Sequence, residues 1–198
     1  MTKYIIFALV IVLISCNNKS DVPIISNASI EIDGLFNEED WNNSRTIALT
    51  SNNILYLAQS GDYLFLGIKN AENVGRYVDL YLENEAIGIV NLHASMALGE
   101  RELSDNWNDT IPAWNWENNT HWTANIIEVI SEDEEIPFLE SVKPYQGHEF
   151  RISKKKIRDT KVKIRFEIKD FVGEANDIIF PIKSARSNSE KWLKVELE

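Results

Sequence analysis

Apolar and polar residues alternate along most of this chain. In Tyr77 to Glu83, Val78, Leu80 and Leu82 share one phase. In Lys161 to Lys169, Val162, Ile164, Phe166 and Ile168 point one way, and the charged residues between them point the other. Lys191 to Leu197 repeats the pattern with Leu193, Val195 and Leu197. A period of two places alternate side chains on opposite faces of a half-buried strand. Ile54 to Ala58 and Tyr63 to Ile68 are almost continuously apolar, which predicts central strands covered on both faces. Gln59-Ser60-Gly61-Asp62 between them predicts a hairpin turn. Further strands are expected at Ser29 to Asp33, Ile87 to His93, Trp122 to Val129, Glu149 to Ile152 and Ile178 to Lys183.

Helical signals are few. Asn37 to Trp41 has a capping asparagine and early acidic residues, enough for one turn. Ser153 is placed to cap a second turn through Ile157. About ten short strands with polar connections predict an all-β fold, an antiparallel β-sandwich of jelly-roll or immunoglobulin-like type.

Charge narrows the partners. The formal net charge of −11 repels phosphate backbones and anionic lipid alike, so nucleic acid is not an expected partner. Solubility accounts for the acidity as well as cation binding does. Cys16 is the only cysteine, so no intrachain disulfide forms and the core alone must hold the fold.

The chain opens like an export signal. Lys3 supplies a positive charge, Ile5 to Ile14 is unbroken apolar sequence, and Ser15 is the small residue before a cleavage point. The run is shorter than a comfortable transmembrane span. Leu13-Ile14-Ser15-Cys16 resembles the lipobox of bacterial lipoproteins, in which the cysteine is acylated after cleavage. Residues 1–15 are then a signal peptide, and residues 16–27 a lipidated N-terminus and tether. Residues 28–198 are the mature domain. More than one acyl chain on Cys16 gives stable anchoring in the membrane. An aspartate after the cysteine can mark inner-membrane retention; Asn17 stands there instead and favours the outer membrane.

Ile30-Glu31-Ile32-Asp33-Gly34, followed by Leu35 to Asp40 and Trp41, resembles the opening of family 9 carbohydrate-binding modules and their DOMON-like relatives. Asn53 to Lys69 resembles the family's first hairpin, and Tyr77 to Glu83 its later strand bearing an aspartate, here Asp79. Phe150 to Ile157, Phe180-Pro181, the polar Ser184 to Glu190 segment and Trp192 resemble its C-terminal order. Ala94 to Pro144 has no counterpart that can be matched. The resemblance implies a sandwich that binds glycans, often with bound calcium, and clamps sugar between tryptophans. It implies no catalysis.

Six tryptophans are many for this length, and Trp107, Trp114, Trp116 and Trp122 fall close together. Flat indoles stack on the C–H faces of sugars while neighbouring polar groups take the hydroxyls. Pro112 to Asn119 supplies both kinds of group, and Trp114 and Trp116 share a face if the segment is extended. The alternative is that these indoles fill a packed loop. Trp41 and Trp122 read as core. Trp192 shares phase with Lys194 and Glu196, so it belongs on a polar face, and the resembled family often uses a late tryptophan for sugar. In Asn91 to Glu102, His93, Ser95, Glu100, Arg101 and Glu102 concentrate polar chemistry, and Arg101 can fork hydrogen bonds to adjacent hydroxyls or a carboxylate. An edge strand with surface ion pairs would have the same composition. The expected carbohydrate contacts are Trp114, Trp116, Trp192, Arg101, Glu100 and His93.

Catalytic and metal signatures are sparse. The three histidines, His93, His121 and His148, include no pair at metal-ligand spacing. His93 beside Ser95 is not by itself a triad. Ser131 to Glu135 lacks the glycine and alternating ligands of a calcium loop. Met96 near His93 is a weak basis for haem. The expectation is a monomeric, non-catalytic protein, lipid-anchored at the cell envelope of a Gram-negative bacterium, that binds carbohydrate. Calcium enters only through the family resemblance. The alternatives are an accessory lipoprotein that binds a protein partner, and a glycan-active hydrolase.

Overall fold

The computed structural model describes residues 21–25, 30–37, 39–70, 76–103, 111–117, 120–131, 133, 135, 137, 140–170 and 177–198. The signal segment, Cys16, Ser29, Trp107 and parts of the acidic run lie outside the described residues. Eleven strands are present among those described: β1 Arg45–Ala48, β2 Asn53–Gln59, β3 Tyr63–Asn70, β4 Arg76–Asn84, β5 Gly88–Ala94, β6 Leu98–Leu103, β7 Trp122–Ala124, β8 Gly147–Ser153, β9 Lys161–Asp170, β10 Ile178–Phe180 and β11 Leu193–Glu196. Two single-turn helices, α1 Glu39–Asn42 and α2 Lys154–Ile157, complete the set with a 3-10 turn at Ser189–Lys191.

The strands form two antiparallel sheets. The first has the order β1-β2-β3-β8-β7, and the second β10-β9-β4-β5-β6, with β11 also pairing with β9. The shared core lies between them. It takes Leu55 and Leu57 from β2, Leu64, Leu66 and Ile68 from β3, and Phe150 and Ile152 from β8. Opposite them stand Val78, Leu80 and Leu82 of β4, Val90 and Leu92 of β5, and Val162, Ile164, Phe166 and Ile168 of β9. These are the inward phases that the alternation predicts. The antiparallel sandwich follows, because each sheet must bury one apolar face.

The near-continuous apolarity of β2 and β3 is also explained. Their second face, carrying Ala58 and Phe65, is covered by Ile25, Ile30 and Trp41, with Phe36 and Tyr56 packed alongside. The Asp33-Gly34 turn is fastened from a distance. Glu149 on β8 is fully buried. Its Oε2 accepts the backbone N–H of Asp33 at 3.0 Å and of Gly34 at 2.7 Å, and its Oε1 accepts the indole N–H of Trp41 at 2.8 Å. Gly34 is required here: its φ is +82°, and an added Cβ would lie 2.6 Å from Asn125 Nδ2.

Several expectations are corrected. Residues 30–33 pair with no strand, although Ile30 is buried. The strand beginning at Trp122 stops at Ala124, and the one beginning at Ile178 stops at Phe180. Lys191 ends the 3-10 turn, and the last strand starts at Leu193. One strand, β1, is additional, and β6 takes the place of the edge-strand alternative for Asn91 to Glu102. The capped turn after Ser153 is present as α2, with the Ser153 side chain accepting from the Lys155 N–H. Trp41 and Trp122 are core residues, as expected.

Candidate functional site

The outward phase of the second sheet is polar and largely covered. Cross-strand register sets its residues in rows. Glu167, Asp79, His93 and Gly99 stand side by side on β9, β4, β5 and β6. The next row holds Arg165, Tyr81, Asn91 and Arg101. Asp79, Tyr81, Asn91, Arg165 and Glu167 are all buried.

The segment 111–117 lies against the β6 edge. Asn115 pairs with Glu100 through two backbone bonds, Glu100 N–H to Asn115 O at 2.9 Å and the reverse at 2.8 Å. Extended pairing sends Trp114 and Trp116 to the same side, onto the polar face. Their ring centroids are 5.7 Å apart with planes inclined at 40°. The His93 ring lies 5.1 Å from Trp114 and 5.6 Å from Trp116. Tyr77 closes the other side of His93 at 5.2 Å. Trp116 lies against Gly99, where a Cβ would meet Cζ3 at 2.7 Å, yet it stays 49% exposed. It therefore rests on backbone while nearly half of its surface meets solvent.

Arg101 stacks its guanidinium 3.8 Å from the Trp114 ring centroid, a cation–π contact. Its Nε donates to Asn91 Oδ1 at 2.9 Å, and Asn91 Nδ2 donates to the Leu80 carbonyl at 3.3 Å. His93 is held at both ring nitrogens. Nδ1 is 2.7 Å from Asp79 Oδ1, and Nε2 is 2.9 Å from Ser95 Oγ. The pairing of His93 with Ser95 thus has a third member that strand register supplies.

Four expected contacts, His93, Arg101, Trp114 and Trp116, come together. Two do not. Glu100 is adjacent to Arg101 in β6 and so faces the opposite way, toward the core. Both its oxygens are taken: Oε2 by the Trp122 indole N–H at 2.7 Å and Oε1 by Lys156 Nζ at 2.6 Å. Trp192 is on the outward side, as its phase predicts, but only 3% exposed. Its N–H donates to the Ala185 carbonyl at 2.9 Å and its ring meets Tyr81 edge-on at 6.0 Å. The polar segment before it folds over the sheet and removes the indole face from any ligand. Sequence reasoning missed Tyr77 and Asn91. Their outward phase was legible, but their neighbours were not.

A charged cluster adjoins this row. Glu167 accepts from Arg165 Nη2 at 2.6 Å and from Arg186 through both Nε and Nη2. Burial alone would raise its pKa; the hydrogen bonds and charges of Arg186 and Arg165 outweigh it and hold the carboxyl down at about 2. Burial pushes the Tyr77 phenol up; Lys169 opposes this, and Asp79, Asp177 and Glu167 add to it. A separate cleft of about 630 Å³ opens near Glu83, Asn84, Lys163 and Glu196, with no aromatic residue in its lining. Among the described residues no group of three or more His, Cys, Asp or Glu is placed to hold a metal ion.

No family model matches the chain, and no curated protein does. Among solved structures, the chain is similar to a carbohydrate binding module family 9 (CBM9) from Caldicellulosiruptor kristjanssonii in complex with cellotriose. The two are 14% identical, the match covers 89% of this chain and 93% of that chain, and the TM-score is 0.49.

Proposed function

We propose that this protein binds carbohydrate at its Trp114–Trp116 platform, and that acylated Cys16 holds it at the cell envelope, in the outer membrane. One observation carries the binding reading. Trp116 presents a half-exposed indole beside Trp114, with Arg101 and His93 fixed at its margin. An apolar plate edged by oriented polar groups is the pattern that sugar rings match, with C–H faces for the plate and hydroxyls for the edge. The polar groups are fixed in advance by Asn91 and Asp79, so little ordering is lost on binding. The lipid anchor rests on the lipobox-like Leu13-Ile14-Ser15-Cys16.

A glycan array probed with the full chain in detergent tests the binding. At least one glycan is expected to bind, and Trp116→Ala is expected to weaken it by about thirtyfold, a loss typical of a central aromatic contact. A blank array from folded protein sinks the proposal. Metabolic labelling with a fatty acid, lost on Cys16→Ser, tests the anchor.

A further inference from the structure

The Asp79–His93–Ser95 chain has the geometry of a serine hydrolase relay. We infer that Ser95 is a nucleophile that cleaves O-acyl esters, such as an acylated hydroxyl of a sugar resting on the platform. The inference goes beyond glycan binding; only the choice of an acylated sugar as substrate rests on that reading.

The proton positions follow from the partners. Asp79 is buried and offers only acceptor oxygens as a carboxylate, so the 2.7 Å contact places the proton on His93 Nδ1. Nε2 is then bare and accepts the Ser95 hydroxyl at 2.9 Å. The hydroxyl has one proton, and its other acceptor, the Ala97 carbonyl, is farther at 3.3 Å. Nucleophile, base and orienting acid thus stand in hydrogen-bonding order, the arrangement that defines such relays independently of fold. Ser95 sits at the tip of the β5–β6 hairpin. Its carbonyl is pinned by the Ile127 N–H at 2.8 Å, and its N–H bonds the Ala97 carbonyl at 3.1 Å. Ser95 is 8% exposed, and the next residue, Met96, is 48% exposed.

In the reaction, the Ser95 Oγ proton passes to His93 Nε2 as Oγ bonds the acyl carbon. The alkoxy group leaves with that proton. Water then adds to the acyl carbon and gives a proton to His93, and the carboxylic acid departs as Ser95 regains its hydrogen. Ester and water are consumed; acid and alcohol are formed. His93 and Ser95 are catalytic residues, and Asp79 is a positioning residue.

The full chain in detergent is treated with a fluorophosphonate probe, and p-nitrophenyl acetate hydrolysis is followed separately. Labelling is expected on Ser95 by peptide mass spectrometry, with hydrolysis reduced about 100-fold or more in Ser95→Ala. Asp79→Asn should lose a similar factor and Asp79→Glu should recover part of it, at equal thermal midpoints; a merely structural role would not show that rescue. Should Ser95→Ala fail to fold, Ser95→Cys keeps the shape and is expected to exchange fluorophosphonate labelling at position 95 for iodoacetamide labelling. Absence of label on Ser95, or hydrolysis equal in the wild type and the Ser95 variants, overturns the inference. Glycan binding measured on the same sample keeps the two ideas apart. Binding without labelling removes the relay alone, and labelling without binding removes the platform alone.

Discussion

The indole N–H of Trp41 donates to Glu149 Oε1 at 2.8 Å across 108 residues of sequence. The same carboxylate takes the backbone N–H groups of Asp33 and Gly34, so one side chain gathers the turn and the tryptophan of the opening motif. Glu149→Ala would leave two buried donors, the Gly34 N–H and the Trp41 indole N–H, and the part-buried Asp33 N–H without their acceptor. We expect a loss of about 3–5 kcal/mol in folding stability, measured by denaturant unfolding, because unsatisfied buried donors carry their full desolvation cost. A loss below about 1 kcal/mol would show that water replaces the carboxylate.

Glu167 gives the fold an acid-sensitive point. Its pKa in the folded protein is held down at about 2, below its ordinary 4.5. A depressed carboxyl contributes stability that is complete above the unfolded value and is lost as pH falls through the folded one. Thermal midpoints should therefore drop between pH about 4.5 and about 2. Glu167→Gln should flatten that part of the profile, and Arg186→Ala should shift the drop to higher pH. An unchanged slope in both variants would contradict the assignment.

Gly99 is the seat of Trp116. A methyl group there would meet the indole at 2.7 Å, and the half-exposed ring has room to swing away. Gly99→Ala should lower glycan affinity by about tenfold while changing stability by under about 1 kcal/mol, because a surface ring moves at little cost. Calorimetric titration and thermal melting on the same preparation separate the two effects.

Glu100 serves the core rather than the platform. Its carboxylate joins the Trp122 indole to Lys156, whose side chains are mostly shielded from solvent. Glu100→Ala should cost about 2–4 kcal/mol of stability, the range for breaking a shielded ion pair and orphaning a buried donor. Affinity loss beyond that of the unfolded fraction would return Glu100 to the binding surface.

Much of the sandwich was legible because its inward phases are strict: Val78, Leu80 and Leu82, or Val162 to Ile168, leave no second register that buries apolar residues. The β6 strand was legible only as the edge-strand alternative for Asn91 to Glu102, without bounds. Its outward positions, Gly99 and Arg101, support a tryptophan, while one inward position is the charged Glu100, so hydrophobicity carries no period. Trp192 shows a different limit. Its phase correctly gave the outward side, but phase cannot report that the 184–191 segment folds over it. Asp79, His93 and Ser95 were each visible as polar residues; only the pairing of β4 with β5 brings the acid to the imidazole.

The buried side chain of Gln59 draws the two ends of the described chain together. Its Nε2 donates to the Val22 carbonyl at 2.7 Å, and its Oε1 accepts the Glu198 N–H at 3.0 Å. Glu196 N–H meets Asp21 Oδ1 at 3.0 Å, beside the first residue of β9, Lys161. The row containing Glu167 and His93 lies six residues further along β9, about 20 Å away at strand rise. Tension applied at Asp21 or at Glu198 therefore acts at one end of the second sheet, and the row that holds Glu167 and His93 lies toward the other.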